Sequence, residues 1–354
     1  STSSEIDLAA ILAGNDMLLI PQDVPATVKL FKKAIKKKQL TIQRLDHSVR
    51  KILMAKYWAG LHNYTPVSLE NLHEDLNAKT DVLLHRELVE KSITVLKNEK
   101  DIIPIQNLEK QKIAYVKIGK EDNTSFLTML NNYAKVDVIV AANLSGLMRK
   151  LKPYNLVIIG YHSSNSHPWK SYKFKRDEIA AIQKIAKEKK VILDVFASPY
   201  SLMDFASFKN IEGLVVSFQN SKIAQEISAQ QLFGAVKTSG KLPVSINKKF
   251  KEGFGIYTSS LSRLQYGEPE EVKMSSQKLA EIDVIANEVI KKKMAPGLQI
   301  LVARSGKVIY QKSFGYHTND TLLKVKNSDI YDVASLTKIL ATLPMVMKAE
   351  GEGK

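Results

Sequence analysis

Cysteine is absent from this sequence of 354 residues. Its absence excludes disulfides and thiolate metal sites, but it does not separate a cytoplasmic from a periplasmic protein, since many exported proteins lack disulfides. The sequence also lacks any run of about 18 apolar residues, the length that a membrane-spanning helix needs. No G-x-G-x-x-G motif follows a predicted strand, which argues against a dinucleotide site. We therefore predict no cofactor, no metal ion and no transmembrane segment.

Hydrophobic residues make up 44% of the chain and charged residues 25%. This composition is typical of a soluble globular protein with two or three domains of about 100–200 residues each. The formal net charge is +16, with lysines clustered at residues 32–33, 36–38, 187–190 and 291–293. These clusters fall on polar faces or C-terminal ends of predicted helices, where cations suit the helix dipole, so a solvated surface is the favoured interpretation. Attraction to anionic polymers is the alternative, but no aromatic-interleaved basic motif supports nucleic-acid binding.

A serine and a lysine three residues apart, Ser335 and Lys338, stand at a predicted helix start and are followed by the apolar stretch 339–346. The spacing places both side chains over one turn of helix, where a lysine held neutral could take the proton of a serine nucleophile. The alternative is structural: Ser335 caps the helix and Lys338 is solvated. As a bare pattern, S-x-x-K does not decide between the two.

The elements before this motif favour the first interpretation. An amphipathic helix is predicted at 274–293, with a stripe of Leu279, Ile282, Ile285, Ala286, Val289 and Ile290. Strands at 298–303 and 308–314, joined by a turn at 304–307, complete a hairpin. With Pro296-Gly297, Phe314-Gly315 and Ala334-Ser335-Leu336-Thr337-Lys338, this order resembles the N-terminal part of the penicillin-recognising serine hydrolases, close to class C β-lactamases.

That resemblance implies that Ser335 is the acylated nucleophile and Lys338 its base. It also implies a Tyr-x-Asn element and a Lys-Thr-Gly or His-x-Gly strand further downstream. Because the sequence ends at Lys354, before any such element, we expect this domain to be cut short.

The N-terminal residues are interpreted as part of a parallel barrel. Residues 9–21 predict a helix end, a glycine turn and a short apolar strand. Thr41 is predicted to cap a helix that ends at Gly60. Its buried stripe is predicted to consist of Ile42, Leu45, Val49, Ile52 and Leu53.

The sequences at 13–17 and 44–56 resemble the last barrel strand and helix of family-three glycoside hydrolases. Those at 89–98 with 103–105, and at 239–244, resemble that family's entry into and exit from its second domain. The resemblance covers about residues 1–265. It implies that the nucleophilic Asp and, in the bacterial N-acetylglucosaminidase branch, an Asp/His acid–base pair precede Ser1. Asp16 is predicted to be a structural or substrate-side residue and not a catalytic one.

The central residues predict a doubly wound α/β sandwich over 86–265. Apolar strands at 113–118, 136–141, 156–160, 191–196 and 214–218 alternate with helices at 125–133, 177–188 and 222–236, which indicates a parallel sheet covered on both faces. Ligands of such sheets bind beyond the strand C-terminal ends, here the segments 160–169 and 197–200. His162 and His167 there suggest a metal, but no third ligand stands at metal spacing. Stacking of a sugar on Trp169 or Tyr161 stays open.

The sequence thus predicts an α/β chain: a remnant of a (β/α)8 barrel at 1–60, a connector at 61–85, the sandwich at 86–265, a linker at 266–273, and the N-terminal part of a β-lactamase-like α+β domain at 274–354. The tail is expected to be cleaved by proteases near 268–276, while the sandwich resists.

The predicted function is that of a fragment of a bifunctional hydrolase, a β-N-acetylglucosaminidase joined to a serine hydrolase. Its predicted substrate is a glycan or peptidoglycan fragment, and the predicted location is the bacterial periplasm or cell envelope. The fragment itself is expected to be inactive, and any signal peptide would precede Ser1. The alternative is a non-catalytic module that binds carbohydrate or dimerises.

Overall fold

The computed structural model describes residues 2–164 and 172–354. The chain divides into two compact units, Ser1–Leu76 and Asn77–Lys354. In the described residues, no helix is long and apolar enough to cross a membrane.

The first unit is helical in its described residues. Its helices are α1 (Ser3–Leu12), α2 (Val24–Lys36), α3 (Ile42–Trp58) and α4 (Leu72–Leu76). The side chains of Thr2, Asp23 and Thr41 accept backbone hydrogen bonds at the starts of α1, α2 and α3, so the cap predicted at Thr41 is confirmed. A small core forms around Ile11, Ala34 and Leu40.

Two predictions for this unit are wrong. Residues 17–21 form no strand, because an extended segment needs a hydrogen-bonded neighbour and the described residues of this unit contain no other strand. The stripe of α3 is not buried either: Ile42, Val49 and Leu53 are each at least half exposed. Periodicity shows that a helix is amphipathic, but not that something covers its apolar face.

The second unit is built on a six-stranded sheet. Its strands are β1 (Thr94–Asn98), β2 (Ile113–Gly119), β3 (Val136–Val138), β4 (Leu156–His162), β5 (Lys190–Phe196) and β6 (Gly213–Val216), in the spatial order β1-β6-β5-β4-β2-β3. All neighbours are parallel except β1 and β6, which are antiparallel. The five predicted strands are therefore present, and the antiparallel edge strand β1 joins them.

Helices cover both faces of this sheet. They are α5 (Lys79–Ser92), α6 (Thr124–Asn131), α7 (Leu144–Lys150), α8 (Arg176–Glu188) and α9 (Lys222–Leu232). Alternate residues of a strand point to opposite faces: Ala114 and Val116 pack in the core with α7 and α8, while Ile113 and Tyr115 pack in the core with α5, α6 and α9. The doubly wound sandwich is confirmed.

The C-terminal part of this unit contains a second, three-stranded sheet. Strand β8 (Gly297–Arg304) pairs antiparallel with β9 (Lys307–Gly315), and β7 (Gln265–Tyr266) adds to β9. Ser305 and Gly306 both have positive φ, at 52° and 76°, as a two-residue hairpin turn requires. The predicted hairpin is confirmed.

The helix predicted at 274–293 is present in two pieces, α10 (Ser276–Leu279) and α11 (Glu281–Lys291). Its Leu279 and Ala286 are buried, but Ile285 is 61% exposed, so the predicted stripe is only partly buried. A last helix, α12 (Leu343–Gly351), has no buried residue.

Candidate active site

Ser335 and Lys338 lie on successive irregular turns that lead into α12. A 3₁₀ turn covers Ala334–Leu336 and a π-helical turn covers Lys338–Thr342. The Asp332 carboxylate accepts the Ala334 amide at 2.7 Å, which holds Ala334 at a positive φ of 43°. Such backbone conformations are uncommon for residues other than glycine.

The lysine of the motif contacts the serine directly. Lys338 Nζ donates a hydrogen bond to Ser335 Oγ at 3.2 Å. The two atoms are therefore within the reach that a serine nucleophile and its base require, although as a base the neutral amine would accept the serine proton. Ser335 makes no capping hydrogen bond to the following helical turns. The contact therefore agrees with the nucleophile–base pairing and not with the capping alternative, and the catalytic roles stay a prediction.

Both side chains are exposed. A lysine acts as a base when burial or a neighbouring cation favours its neutral form. Exposure supplies no burial, so the pair has the geometry of a nucleophile and base without the desolvated surroundings that would activate it.

A second candidate site is a cavity of about 450 Å³ at the C-terminal edge of the large sheet. Gly119 and His162, which end β2 and β4, line it. Its charged lining residues are Lys120, Glu121, Lys173, Lys175 and Glu178. The cavity lies at the edge where the strand order predicts a ligand.

His162 is a structural residue. Its Nε2 is 2.7 Å from Tyr115 Oη and its Nδ1 is 2.6 Å from Asn220 Oδ1, while its ring stacks on Phe196 at 4.5 Å. Because Asn220 Oδ1 can only accept, Nδ1 carries the proton and Nε2 accepts from Tyr115. Desolvation lowers the pKa of His162 to about 4. With both nitrogens engaged, the ring has no free atom for a metal.

Gly160 makes this arrangement possible. A Cβ at this position would lie 2.5 Å from His162 Nε2 and 2.6 Å from Tyr115 Oη. Any side chain would therefore displace the hydrogen bond between them.

Stacking of a sugar on Tyr161 does not agree with the structure. The ring is 3% exposed and stacks on Phe174 with centroids 3.7 Å apart, and its hydroxyl donates to the carbonyls of Tyr172 and Lys173 at 3.0 Å. The other two residues considered for this edge, His167 and Trp169, lie outside the described residues. The described residues contain no group of three or more His, Cys, Asp or Glu arranged to hold a metal ion.

Asp16 was predicted to be either a structural or a substrate-side residue, and its contacts are structural. Its carboxylate accepts from Arg44 at 3.0 Å, Ser48 at 2.7 Å and Lys51 at 2.8 Å. The hydrogen bond from Lys51 is the main cause that holds the pKa of Asp16 far below its usual range. The side chain ties the loop after α1 to α3, and an acid so strongly favoured as a carboxylate cannot serve as a proton donor.

Arg86 in α5 and Asp194 in β5 are buried ionisable residues that the sequence does not point to as a site. The partners of Arg86 are Glu226 and Glu271, and those of Asp194 are Ser217 and Ser228. Each partner is more than twenty residues away in sequence from Arg86 or Asp194, so no local motif predicts these contacts. For Asp194, the sequence offers one signal, which is an ionisable residue within an otherwise apolar strand.

Comparison with protein families matches residues 286–354 to the β-lactamase family. Protein flp from Staphylococcus aureus is 30% identical across 82 residues, which are 23% of this chain and 16% of that protein.

The larger part of the chain is similar to glycosidases. A putative β-xylosidase from Formosa agariphila is 23% identical over 66% of this chain and 35% of its own length, and a probable β-glucosidase C from Aspergillus oryzae is 28% identical over 57% and 30%. The chain thus spans about a third of the length of these relatives.

Solved structures agree on the fold. The β-glucoside phosphorylase BglX has a TM-score of 0.54 at 19% identity, over 70% of this chain and 46% of that one. A glycoside hydrolase family 3 β-N-acetylglucosaminidase from Paenibacillus has a TM-score of 0.51 at 17% identity, and the match covers 69% of this chain and 48% of that one. A fungal multi-domain family 3 β-N-acetylglucosaminidase has a TM-score of 0.51 at 20% identity, and the match covers 97% of this chain and 41% of that one.

These similarities agree with the sandwich of the large sheet and with the hairpin and Ser-x-x-Lys turn that follow it. The chain joins a fold of the family-three glycoside hydrolases to a β-lactamase-like segment.

Proposed function

We propose that this chain belongs to a bifunctional hydrolase in which a glycosidase of the β-N-acetylhexosaminidase type works beside a serine hydrolase with Ser335 as nucleophile and Lys338 as its base. The observation that carries this proposal is the 3.2 Å hydrogen bond from Lys338 to Ser335 within the segment that matches the β-lactamase family.

The glycosidase type is supported by the two β-N-acetylglucosaminidases among the similar folds. A glycan-cleaving and an acyl-transferring enzyme in one protein suit a polymer of amino sugars and peptides. We therefore propose bacterial cell-wall glycan as the substrate and the periplasm or cell envelope as the location.

The 354 residues by themselves are proposed to be inactive. A retaining glycosidase needs a carboxylate nucleophile and a separate acid/base on either side of the scissile bond. Both oxygens of Asp16 are already occupied by Arg44, Ser48 and Lys51, so we do not propose this carboxylate as the nucleophile. The exposed Lys338 in turn lacks the burial that would favour its neutral form.

Covalent labelling with a fluorophosphonate probe tests the serine hydrolase assignment. In a longer protein that carries these residues, the probe should label Ser335, Ser335→Ala should abolish labelling, and Lys338→Ala should slow it by about 100-fold or more, since general base catalysis contributes that much. Ser328→Ala is the matched control, because Ser328 is an exposed serine without a lysine three residues later. Labelling of Ser335→Ala at the wild-type rate would show that the nucleophile lies elsewhere. Labelling of the 354-residue chain would contradict its proposed inactivity.

A further inference from the structure

A second cavity lies where α5 and α9 meet the segment that follows β7. Its volume is about 570 Å³, which is within the range of small-molecule sites. It shares no lining residue with the cavity at the sheet edge or with the Ser335 turn. Its apolar lining consists of Leu83, Leu84, Ile227 and Val236, and its acidic lining consists of Glu87, Glu90, Glu270 and Glu271.

Two of the three cations that line the cavity are already paired. Arg86 donates to Glu271 Oε1 at 3.1 Å and to Oε2 of Glu226, which does not line the cavity, at 2.9 Å. Lys307 forms an ion pair with the other oxygen of Glu271. The third cation, Lys273, is exposed. Glu271 is therefore the carboxylate that Arg86 and Lys307 neutralise.

Glu90 is left without such a partner. Its side chain is partly buried, and no described residue donates a hydrogen bond to its carboxylate or forms an ion pair with it. Burial is the main cause that raises the pKa of Glu90, and the nearby charge of Lys307 opposes it. A partly buried carboxylate without a donor is costly, and a bound cation would remove that cost.

Glu270 leaves a second acceptor unused. One of its oxygens accepts the Ser276 amide at 2.8 Å, whereas Oε2 is buried and has no partner. The described lining thus offers two carboxylates with unsatisfied oxygens beside apolar walls, in a protein whose net charge is strongly positive. Acceptors of this kind select a ligand that brings its own charged donors.

We propose that this cavity binds a small organic cation, a primary ammonium group on a short hydrocarbon chain. The ammonium group donates to Glu90, with Glu270 Oε2 as a further acceptor, and the hydrocarbon chain lies against Leu83 and Ile227. This site does not depend on the proposed hydrolase activity, so a separate binding experiment tests it.

Isothermal titration calorimetry of the 354-residue chain with pentylammonium at pH 8 provides that test. Saturable binding is expected for pentylammonium and none for 1-pentanol, which has the same hydrocarbon chain without the charge. Absence of saturable binding by pentylammonium, or equal binding of both compounds, would overturn the proposal.

Two matched variants locate the site. Glu90→Gln should weaken pentylammonium binding by about tenfold or more, because it removes the charge-assisted hydrogen bond. Glu188→Gln, on α8 and outside the cavity lining, should change it by less than about twofold, because Glu188 is solvent-accessible and already pairs with Lys184. An affinity unchanged in Glu90→Gln would refute the site. If that variant does not fold, the pH dependence of pentylammonium binding to the wild-type chain provides the test. As the pH is lowered from 8, the affinity should begin to fall at a pH above the usual range of a glutamate, because Glu90 takes up its proton there. An affinity that does not change with pH would refute the site.

Discussion

At the scale of single residues, the large sheet contains two ionisable groups whose pKa values are displaced in opposite senses. Asp194 on β5 is fully buried, and Ser217 and Ser228 donate to its two oxygens at 2.7 and 2.5 Å. Burial outweighs these hydrogen bonds and raises its pKa from 3.8 to about 7. His162 on the neighbouring strand β4 has its pKa lowered from 6.5 to about 4. Both groups favour their neutral forms in the folded protein.

Replacing Asp194 by asparagine tests the first group. Its raised pKa stabilises the fold fully below about pH 3.8, and that contribution is lost as the pH rises through about 7. Asp194→Asn, which cannot ionise and can still bond both serines, should be more stable than wild type at pH 8.5 by on the order of 2–4 kcal/mol. At pH 4 the two proteins should be nearly equal. Urea unfolding at both pH values measures this, and an equal difference at both would contradict it.

His162 makes the stability of the fold depend on pH in the opposite direction to Asp194. The lowered pKa of His162 gives stability that is present above about pH 6.5 and is lost as the pH falls towards 4. Over that range the two groups oppose each other, so the wild-type profile should be flatter than that of Asp194→Asn, which loses stability on acidification. Adding His162→Gln to Asp194→Asn should remove that acid loss. If the double variant keeps the acid slope of Asp194→Asn, then His162 is not its source.

At the scale of elements, the sequence predicts well what depends on near neighbours. The cap at Thr41 and the hairpin turn at Ser305-Gly306 are local features, and both form as predicted. Strand β1 was missed because it forms by antiparallel pairing with β6, more than 100 residues away. The same limit explains the failure at residues 17–21, since an apolar run becomes a strand only beside a partner.

The candidate sites, too, were predictable only where their residues are near neighbours in sequence. The contact between Lys338 and Ser335 was predictable because it spans three residues of one turn. The cavity around Glu90 was not, because its walls come from α5, α9 and the residues after β7. Nor do the residues around His162 reveal that Tyr115 and Asn220 occupy both ring nitrogens.

At the scale of the whole second unit, the segment predicted as a linker at 266–273 is anchored by buried charges. Arg86, with a side chain 7% exposed, bonds Glu271, Glu226 and the Tyr266 carbonyl. These contacts join α5 and α9 to the segment, and Lys307 extends them to β9. The sequence predicts preferential cleavage near 268–276, but an anchored backbone resists proteolysis.

The anchoring predicts a different order of cleavage. In the wild-type chain, limited proteolysis should cut residues 318–342 before residues 268–276, because most side chains from 318 to 342 are exposed. Arg86→Met should open the second site, since removing one partner of a buried ion pair leaves Glu226 and Glu271 less compensated and costs about 3–5 kcal/mol. Lys91→Met, on the same helix with a solvent-exposed ion pair to Glu87, should leave the wild-type pattern unchanged. Mass spectrometry of timed digests identifies the cut sites. Early cleavage at 268–276 in the wild-type chain would show that the ion pairs of Arg86 do not hold the segment against local opening.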